Sequence, residues 1–277
     1  MKFLETLPIA LALLVMPTVT FAESTLRFRG RVEPSRTVIV ANHVKGVVQE
    51  LRFSGGEHVT AGDLLALIDP RDFEIAVRAA RAALAEAEAA LRLADDDARR
   101  QAELLARATG SRVAALRAEV ARDAAVAERD RRLAELDAAN LALRRARVHA
   151  PISGTISLPL VTEGAFVEAK AGTALAEIVT LDPVRVAYEV SYAERSQALA
   201  MAEVGTPTEL FERIELTLTL PSGRDYPHVG RPLAESAAID PETGTITVWG
   251  LFPNPGRTLV PFLEVSVTAS LRVESDR

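Results

Sequence analysis

Side chains that could catalyse a reaction or bind a metal ion are few in this sequence. Cysteine is absent, which excludes disulfides, thiolate metal sites and a lipid-modified N-terminal cysteine. The four histidines, His43, His58, His149 and His228, share no spacing typical of metal ligands. The sequence contains no nucleophile-elbow, phosphate-loop or zinc-protease motif. It therefore favours a protein without enzymatic activity, catalytic residues or a metal site.

The most acidic run, Asp95-Asp96-Asp97, is the next candidate for a cation site. Consecutive residues of an α-helix point about 100° apart, so three carboxylates in this run cannot converge on one ion. We interpret the run as a solvated helix face. The net charge of −6 and the scattered basic residues also give no electrostatic reason to expect a nucleic-acid partner.

The aspartates lie in the longest uniform stretch of the chain, residues 71–147. It is rich in Ala, Leu, Arg and Glu, which are strong helix formers, and contains no proline and one glycine, Gly110. Asp69 suits the N-cap position and Pro70 the first helical position, while Pro151 follows the stretch. The pattern predicts helix throughout, with its only break at Thr109-Gly110-Ser111.

Apolar and small residues keep heptad spacing along the first half of this stretch, which is typical of a coiled-coil seam: Phe73, Val77, Ala80, Leu84, Ala87, Leu91, Ala94, Ala98, Gln101, Leu105 and Ala108. We predict an antiparallel hairpin with two arms of about 55 Å. The predicted seam of the second arm is less regular: Leu116, Val120, Val126, Leu133, Leu136, Asn140 and Leu143. The alternative is one long helix that dimerises.

Residues 1–22 resemble a secretory signal peptide. They combine Lys2, a short apolar run and the small residues Thr20 and Ala22 before Glu23. The run is shorter than the roughly 20 apolar residues of a membrane-spanning helix. We therefore expect cleavage after Ala22 and a mature chain without a membrane anchor.

Two short stretches on either side of the helical region repeat one another. Gly46-Val47-Val48 aligns with Gly154-Thr155-Ile156, and Val59 aligns with Val167. Gly62-Asp63-Leu64-Leu65 then aligns with Gly172-Thr173-Ala174-Leu175 after a two-residue insertion. Each copy is too short to form its own core, so the two copies are predicted to pack as one small β-sandwich. The helical hairpin would then be an insertion in a single domain.

These residues resemble a known family. The stretch from Val44 to Pro70 is similar to the first half of a split lipoyl domain, and the stretch from Ala150 to Pro183 is similar to the second half. A coiled-coil hairpin between two such halves is the arrangement of periplasmic adaptor subunits, the HlyD-like membrane fusion proteins of tripartite efflux pumps. The resemblance implies a multidomain α+β fold. Its parts are lipoyl-like halves at 38–70 and 148–181, and the hairpin at 71–147.

In that family the hairpin tip contacts a TolC-like outer-membrane channel through an Arg, a Leu four residues later and a Ser seven residues after that. Arg100, Leu104 and Ser111 have this spacing, beside the predicted turn. Leu105 lies on the heptad seam, which leaves Leu104 to face outward. The resemblance thus implies a channel contact at Arg100, Leu104 and Ser111.

True lipoyl carriers present a lysine at the turn that joins their halves. Here the hairpin replaces that turn, and lysine occurs only at Lys2, Lys45 and Lys170. No swinging-arm cofactor is therefore expected.

Residues 182–273 contain alternating strand patterns, one helical stretch at 192–202 and regular turns. They predict a small β-barrel, followed by a tail at 274–277. The stretch 240–255 resembles the barrel of adaptors that serve resistance–nodulation–division (RND) pumps. Such adaptors usually carry Pro-Gly-Met where this chain has Pro261-Phe262-Leu263. They also continue into a membrane-proximal domain, of which residues 23–37 would supply an N-terminal strand.

The resemblance implies a structural coupler between an RND inner-membrane transporter and an outer-membrane channel. It would be located in the periplasm, would self-associate in a ring and would be held at the inner membrane by its partners. One alternative is an adaptor of an ATP-binding-cassette exporter. Another is a secreted coiled-coil scaffold or binding module with no pump.

Overall fold

The computed structural model describes residues 25–169 and 172–271. The predicted signal peptide and tail, Lys2 and Lys170 lie outside them. The chain divides into two compact units. The barrel unit consists of residues 25–31, 186–251 and 264–271. The sandwich unit consists of the other described residues. In chain order the elements are β1 (Leu26–Ala41), β2 (Gly46–Leu51), β3 (His58–Val59), β4 (Leu64–Ile68), α1 (Arg71–Ala106), α2 (Arg112–Arg145), β5 (Arg147–His149), β6 (Gly154–Ile156), β7 (Phe166–Val167), β8 (Ala174–Ser191), α3 (Tyr192–Met201), α4 (Pro207–Arg213), β9 (Ile214–Thr219), β10 (Arg231–Glu235), β11 (Thr245–Phe252) and β12 (Glu264–Leu271).

The sandwich unit carries two long helices, α1 and α2, which pack against each other and are joined by five residues. At 36 and 34 residues, they are about 54 and 51 Å long. On α1, the predicted seam is buried or half-buried from Phe73 to Gln101. The Asp69 carboxylate accepts a hydrogen bond from the Arg71 amide. The N-cap residue is Pro70 and not Asp69, so α1 begins one residue later than predicted.

Strands of the two sequence repeats are exchanged within the sandwich unit. Gly46 of the first copy pairs with Val167 of the second, and Val59 of the first copy pairs with Gly154 of the second. Since Gly46 aligns with Gly154 and Val59 with Val167, the two pairings are equivalent. Each copy therefore completes the sheet of the other, and neither could fold alone.

The sandwich core is built from matching positions of the two copies. One cluster of buried side chains contains Val48 with Ile156, Val59 with Val167, Leu65 with Leu175 and Ile68 with Ile178. The helices leave and re-enter this core at neighbouring points, because the Ile68 amide donates to the Ala146 carbonyl at 2.8 Å. The ends of the hairpin are therefore adjacent, as an insertion requires.

The barrel unit is an antiparallel sheet in the order β10-β11-β8-β1-β12-β9. Leu216 of β9 bridges Gly230, the residue before β10, so the two edge strands of the sheet also meet. Gly30 is required in β1, because a Cβ atom there would lie 2.5 Å from Val267 and 2.7 Å from Val186. The predicted helix at 192–202 is α3, which begins with a capping box between Ser191 and Glu194.

The observed units differ from the predicted domain boundaries. Residues 26–31 pair with β12 inside the barrel unit, whereas the sequence predicted that 23–37 belong to another domain. Residues 252–263 fall in the sandwich unit, not in the barrel. The first difference arises because β1 is one continuous strand of 16 residues, whose neighbours in a sheet cannot be identified from its alternation alone.

Candidate docking site at the hairpin tip

The hairpin tip begins where α1 ends in a Schellman motif. The Thr109 amide donates to the Leu104 carbonyl and the Ala108 amide to the Leu105 carbonyl, both at 3.0 Å. Ala108 takes the left-handed conformation, with φ of 56°, at the position where glycine is usual. The Thr109 hydroxyl also donates to the Leu104 carbonyl, at 3.2 Å. The end of α1 is thus fixed by three hydrogen bonds.

Gly110 lets the chain turn back directly over the end of α1. A Cβ atom at this position would lie 2.7 Å from the Leu105 nitrogen and 2.9 Å from the Leu104 carbonyl carbon. Both of these are backbone atoms, which cannot move aside as a flexible side chain could. The glycine is therefore required for close approach, and φ of Gly110 is not in the left-handed region.

Ser111 is the N-cap residue of α2, with an extended backbone at φ −91° and ψ 131°. Its carbonyl accepts from the Ala115 amide at 3.0 Å, but its hydroxyl makes no capping hydrogen bond. Since the side chain is also exposed, the Ser111 hydroxyl is available to a partner.

The structure places Arg100, Leu104 and Ser111 at the same end of the hairpin, and all three are exposed. Arg100 and Leu104 are one helical turn apart on one face. Neighbouring arginines are paired, Arg99 with Asp95 and Arg107 with Glu103. Arg100, by contrast, forms no ion pair with any residue in the described part of the chain. Its guanidinium group is therefore also available to a partner.

The prediction that Leu105 faces the seam is wrong at this point of the hairpin, whereas Leu104 is exposed as predicted. Both leucines expose 38% of their surface, because the seam opens at the last turn of α1. The sequence did not indicate Leu105 as a second exposed leucine.

The predicted seam of the second arm is also wrong at Leu116, Val120 and Leu133, which are exposed, whereas its other members are half-buried: Val126, Leu136, Asn140 and Leu143. Leu116 and Val120 are exposed by more than half, as is Val113. One continuous set of buried or half-buried residues recurs at steps of three and four: Ala115, Ala118, Arg122, Ala125, Arg129, Arg132, Leu136, Ala139, Leu143 and Ala146. Three arginines occupy this seam, while several large aliphatic residues, among them Leu116 and Val120, lie on the outer face. The spacing of large aliphatic residues therefore predicts the wrong face there. The regularly spaced alanines were the signal that could have identified the seam.

The seam arginines keep their charged groups paired at the edge of the helices. The pKa of Arg122 is raised, first by a hydrogen bond to Asp123 and its charge, and further by Glu119 and by Asp95 of α1. Arg132 contacts Glu128 at 2.9 Å and Glu135 at 3.1 Å. Long arginine stems can cover apolar surface while their head groups remain in water.

The acidic run and the histidines do not form a metal site. Asp95 pairs with Arg99, and within residues 25–169 and 172–271 no group of three acidic or histidine side chains could hold an ion. His149 lies in β5. Its Nδ1 donates to the Gly62 carbonyl at 2.8 Å.

Residues 36–181 match the sequence profile of the family described as "RND MFP, barrel-sandwich hybrid domain". This range covers the sandwich core and the whole hairpin. The chain belongs to the RND membrane fusion proteins. The family explains why one compact core is interrupted by two long helices.

Curated relatives of this membrane fusion protein carry matching names. It is 32% identical to the efflux pump periplasmic linker BepD of Brucella suis biovar 1 over 246 residues, which covers 86% of this chain and 60% of BepD. It is 31% identical to the multidrug export protein AcrE of Escherichia coli over 251 residues, which covers 89% of this chain and 64% of AcrE. The chain thus spans about three fifths of the length of these relatives.

Solved structures share the fold of this membrane fusion protein. A MacA–MexA chimeric protein containing the Pseudomonas aeruginosa MexA alpha-hairpin domain aligns with a TM-score of 0.62 at 22% identity. The alignment covers 90% of this chain and 80% of the chimera. None of the helices described here is both long enough and apolar enough to cross a membrane.

Proposed function

We propose that this membrane fusion protein is the periplasmic adaptor of a tripartite efflux system. It links an RND inner-membrane transporter to a TolC-like outer-membrane channel and acts as a structural coupler without catalysis. Membership of the RND membrane fusion family supports this role. The observation that carries it is the tip of the hairpin, where Arg100, Leu104 and Ser111 are exposed together.

In this proposal the helical hairpin is a coiled coil inserted in a lipoyl-like sandwich. The seam of α1 and the corrected seam of α2 both follow steps of three and four residues, as coiled-coil packing requires. The exchanged strands of the two repeats support the lipoyl-like assignment of the sandwich.

At the tip, Leu104 and Leu105 would fill an apolar groove of the channel, and Arg100 would pair with a carboxylate or a carbonyl group at its rim. The Ser111 hydroxyl would add a hydrogen bond. Since single contacts of this size are weak, the strength of the complex would come from several adaptors in a closed cyclic ring. The protein would be held at the inner membrane by its partners.

A pair of leucines with equal exposure provides the test. Leu104 exposes 38% of its surface at the tip, and Leu141 exposes 39% on α2 near the base of the hairpin. A photocrosslinking amino acid at position 104 should crosslink to the outer-membrane channel in cells, and one at position 141 should not. Leu104→Asp and Arg100→Glu should abolish both the crosslink and export, whereas Leu141→Asp should preserve them. Equal crosslinking at both positions, or unchanged export in Leu104→Asp, would overturn the tip assignment.

A further inference from the structure

A cleft at the base of the hairpin has strong positive charge in a chain whose net charge is −6. It has a volume of about 410 Å³ and lies within the sandwich unit, between the end of β1, the end of α2 and β5. Three arginines and two histidines line it, and none of the lining residues is acidic: Arg144, Arg145, Arg147, His43 and His149.

The arginines of the cleft have no partner within the chain. Across the described ranges, none of the three arginines, Arg144, Arg145 and Arg147, forms an ion pair or a side-chain hydrogen bond. All three are exposed. Arg144 and Arg145 lie in the last turn of α2, where a helix end favours positive charge. That effect does not account for Arg147 or the histidines, which lie outside the helix.

One histidine of the cleft is held in a fixed orientation. The Nδ1 atom of His149 donates to the Gly62 carbonyl at 2.8 Å, so the orientation of the ring is set by the backbone. The arginine side chains rise from two adjoining segments, α2 and β5, separated only by Ala146. The basic wall is thus built on elements anchored in the sandwich core, of which Ala146 and Val148 are members.

The part of the cleft lining that β1 contributes is aliphatic. It consists of Val38, Ile39, Val40 and Ala41 of β1, and Ile39 exposes 63% of its surface. A β-branched side chain so exposed beside guanidinium groups gives the cleft two chemically different sides. A small inorganic anion would use only one of them.

We propose that this cleft binds an anionic amphiphile, a molecule with a phosphate or carboxylate head and an alkyl body. The head lies against Arg144, Arg145 and Arg147, where guanidinium groups can form paired, charge-assisted hydrogen bonds. The alkyl body lies along Ile39 and Ala41, which share one face of β1. The volume falls in the range of small-molecule sites, about 300–1,000 Å³. This site is independent of the proposed adaptor role, because it requires only the isolated chain.

Calorimetric titration of the purified full chain with dodecyl phosphate, below its micelle concentration, tests the proposal. Inorganic phosphate and the neutral dodecyl maltoside should both bind much more weakly. Arg147→Gln should weaken dodecyl phosphate binding about tenfold or more. Arg81→Gln, which changes an exposed arginine of α1 outside the cleft, should have no effect. Ile39→Ser should weaken binding of dodecyl phosphate but not of inorganic phosphate.

Several outcomes would overturn the proposal. Equal binding of phosphate and dodecyl phosphate would mean that the aliphatic wall is unused, and equal binding of the maltoside would mean that charge is unused. If Arg147→Gln dissociates an oligomer while dodecyl phosphate fails to bind, the cleft is a contact between copies.

Vesicles of phosphatidylcholine with a minority of phosphatidic acid distinguish the source of the ligand. Arg147-dependent sedimentation with them indicates a head group still in a bilayer, and its absence alongside dodecyl phosphate binding indicates a free amphiphile.

Discussion

The Phe262 amide donates to the Val32 carbonyl at 2.8 Å, in a turn where Phe262 itself has φ of 68°. Pro261 precedes it, and the Leu263 amide donates to the Val260 carbonyl at 3.2 Å. This is the arrangement of a type II turn, whose third residue is normally glycine. The resemblance to adaptors that usually carry Pro-Gly-Met here also implies glycine at position 262. The left-handed backbone conformation of Phe262 is strained, because a residue other than glycine occupies this position.

Phe262→Gly should therefore stabilise the protein, by about 1 kcal/mol. A left-handed conformation costs a non-glycine residue roughly 1–2 kcal/mol, and the greater chain entropy of unfolded glycine offsets part of that gain. Phe262 exposes 74% of its surface, so little buried contact is lost. Urea unfolding measures the change. Phe166→Gly, at an exposed phenylalanine of β7 with ordinary backbone, is the matched control and should destabilise the protein.

The tip loop offers a reciprocal pair of substitutions. Ala108→Gly should stabilise the hairpin by about 0.5–1 kcal/mol, because Ala108 is left-handed. Gly110→Ala should destabilise it by about 1–3 kcal/mol, because the new Cβ atom would meet the backbone of Leu104 and Leu105. Thermal melting followed by helical circular dichroism measures both effects. Equal and small effects of the two substitutions would contradict the loop geometry.

The corrected register of α2 is tested by Leu116, which only the predicted seam contains, with Leu136, which both seams contain, as the reference. Leu136→Ala should cost about 1–2 kcal/mol, scaled down from the range for fully buried leucines because Leu136 is half-buried. Leu116→Ala should change stability by less than about 0.5 kcal/mol, as for other exposed positions. If Leu116→Ala proved the more costly in urea unfolding, the register predicted from the sequence would be restored.

Asp69 at the start of α1 should make acid unfolding steeper. Its pKa is lowered to about 2, chiefly by the hydrogen bond from the Arg71 side chain and next by that from the Arg71 amide. A carboxylate with a lowered pKa contributes stability above its unfolded pKa of about 4. That contribution is lost as the pH falls toward 2. Unfolding free energies between pH 6 and 2 should fall less in Asp69→Asn than in the wild type, and parallel curves would contradict this.

The sequence predicted α1 better than α2 for a physical reason. Along α1, leucine and alanine alternate on the seam, so hydrophobic periodicity coincides with burial. Along α2, Arg122, Arg129 and Arg132 occupy seam positions because their stems pack while their charges stay paired at the edge. Periodicity of large aliphatic residues then identifies the wrong face.

The internal repeat could be predicted from the sequence because Gly46 aligns with Gly154 and Val59 aligns with Val167 at the same offset. The exchange of strands between the copies was not readable, because either copy could pair with itself under the same alternation pattern. The partners of β1 were missed for the same reason. At the tip, the resemblance to a family motif predicted Arg100, Leu104 and Ser111, but the exposure of Leu105 depends on where the seam opens.

The two long helices contain only three buried residues, Val77, Ala87 and Ala118. The sandwich, in contrast, has a continuous buried core. Local opening free energies should therefore differ within one unit, since amides protected by few apolar contacts open without global unfolding. In hydrogen–deuterium exchange, the helical amides should be labelled first at the tip and later toward Phe73, while amides of β4 and β6 exchange last. Such a gradient would let the tip adjust its backbone to a partner while the base of the hairpin remains folded.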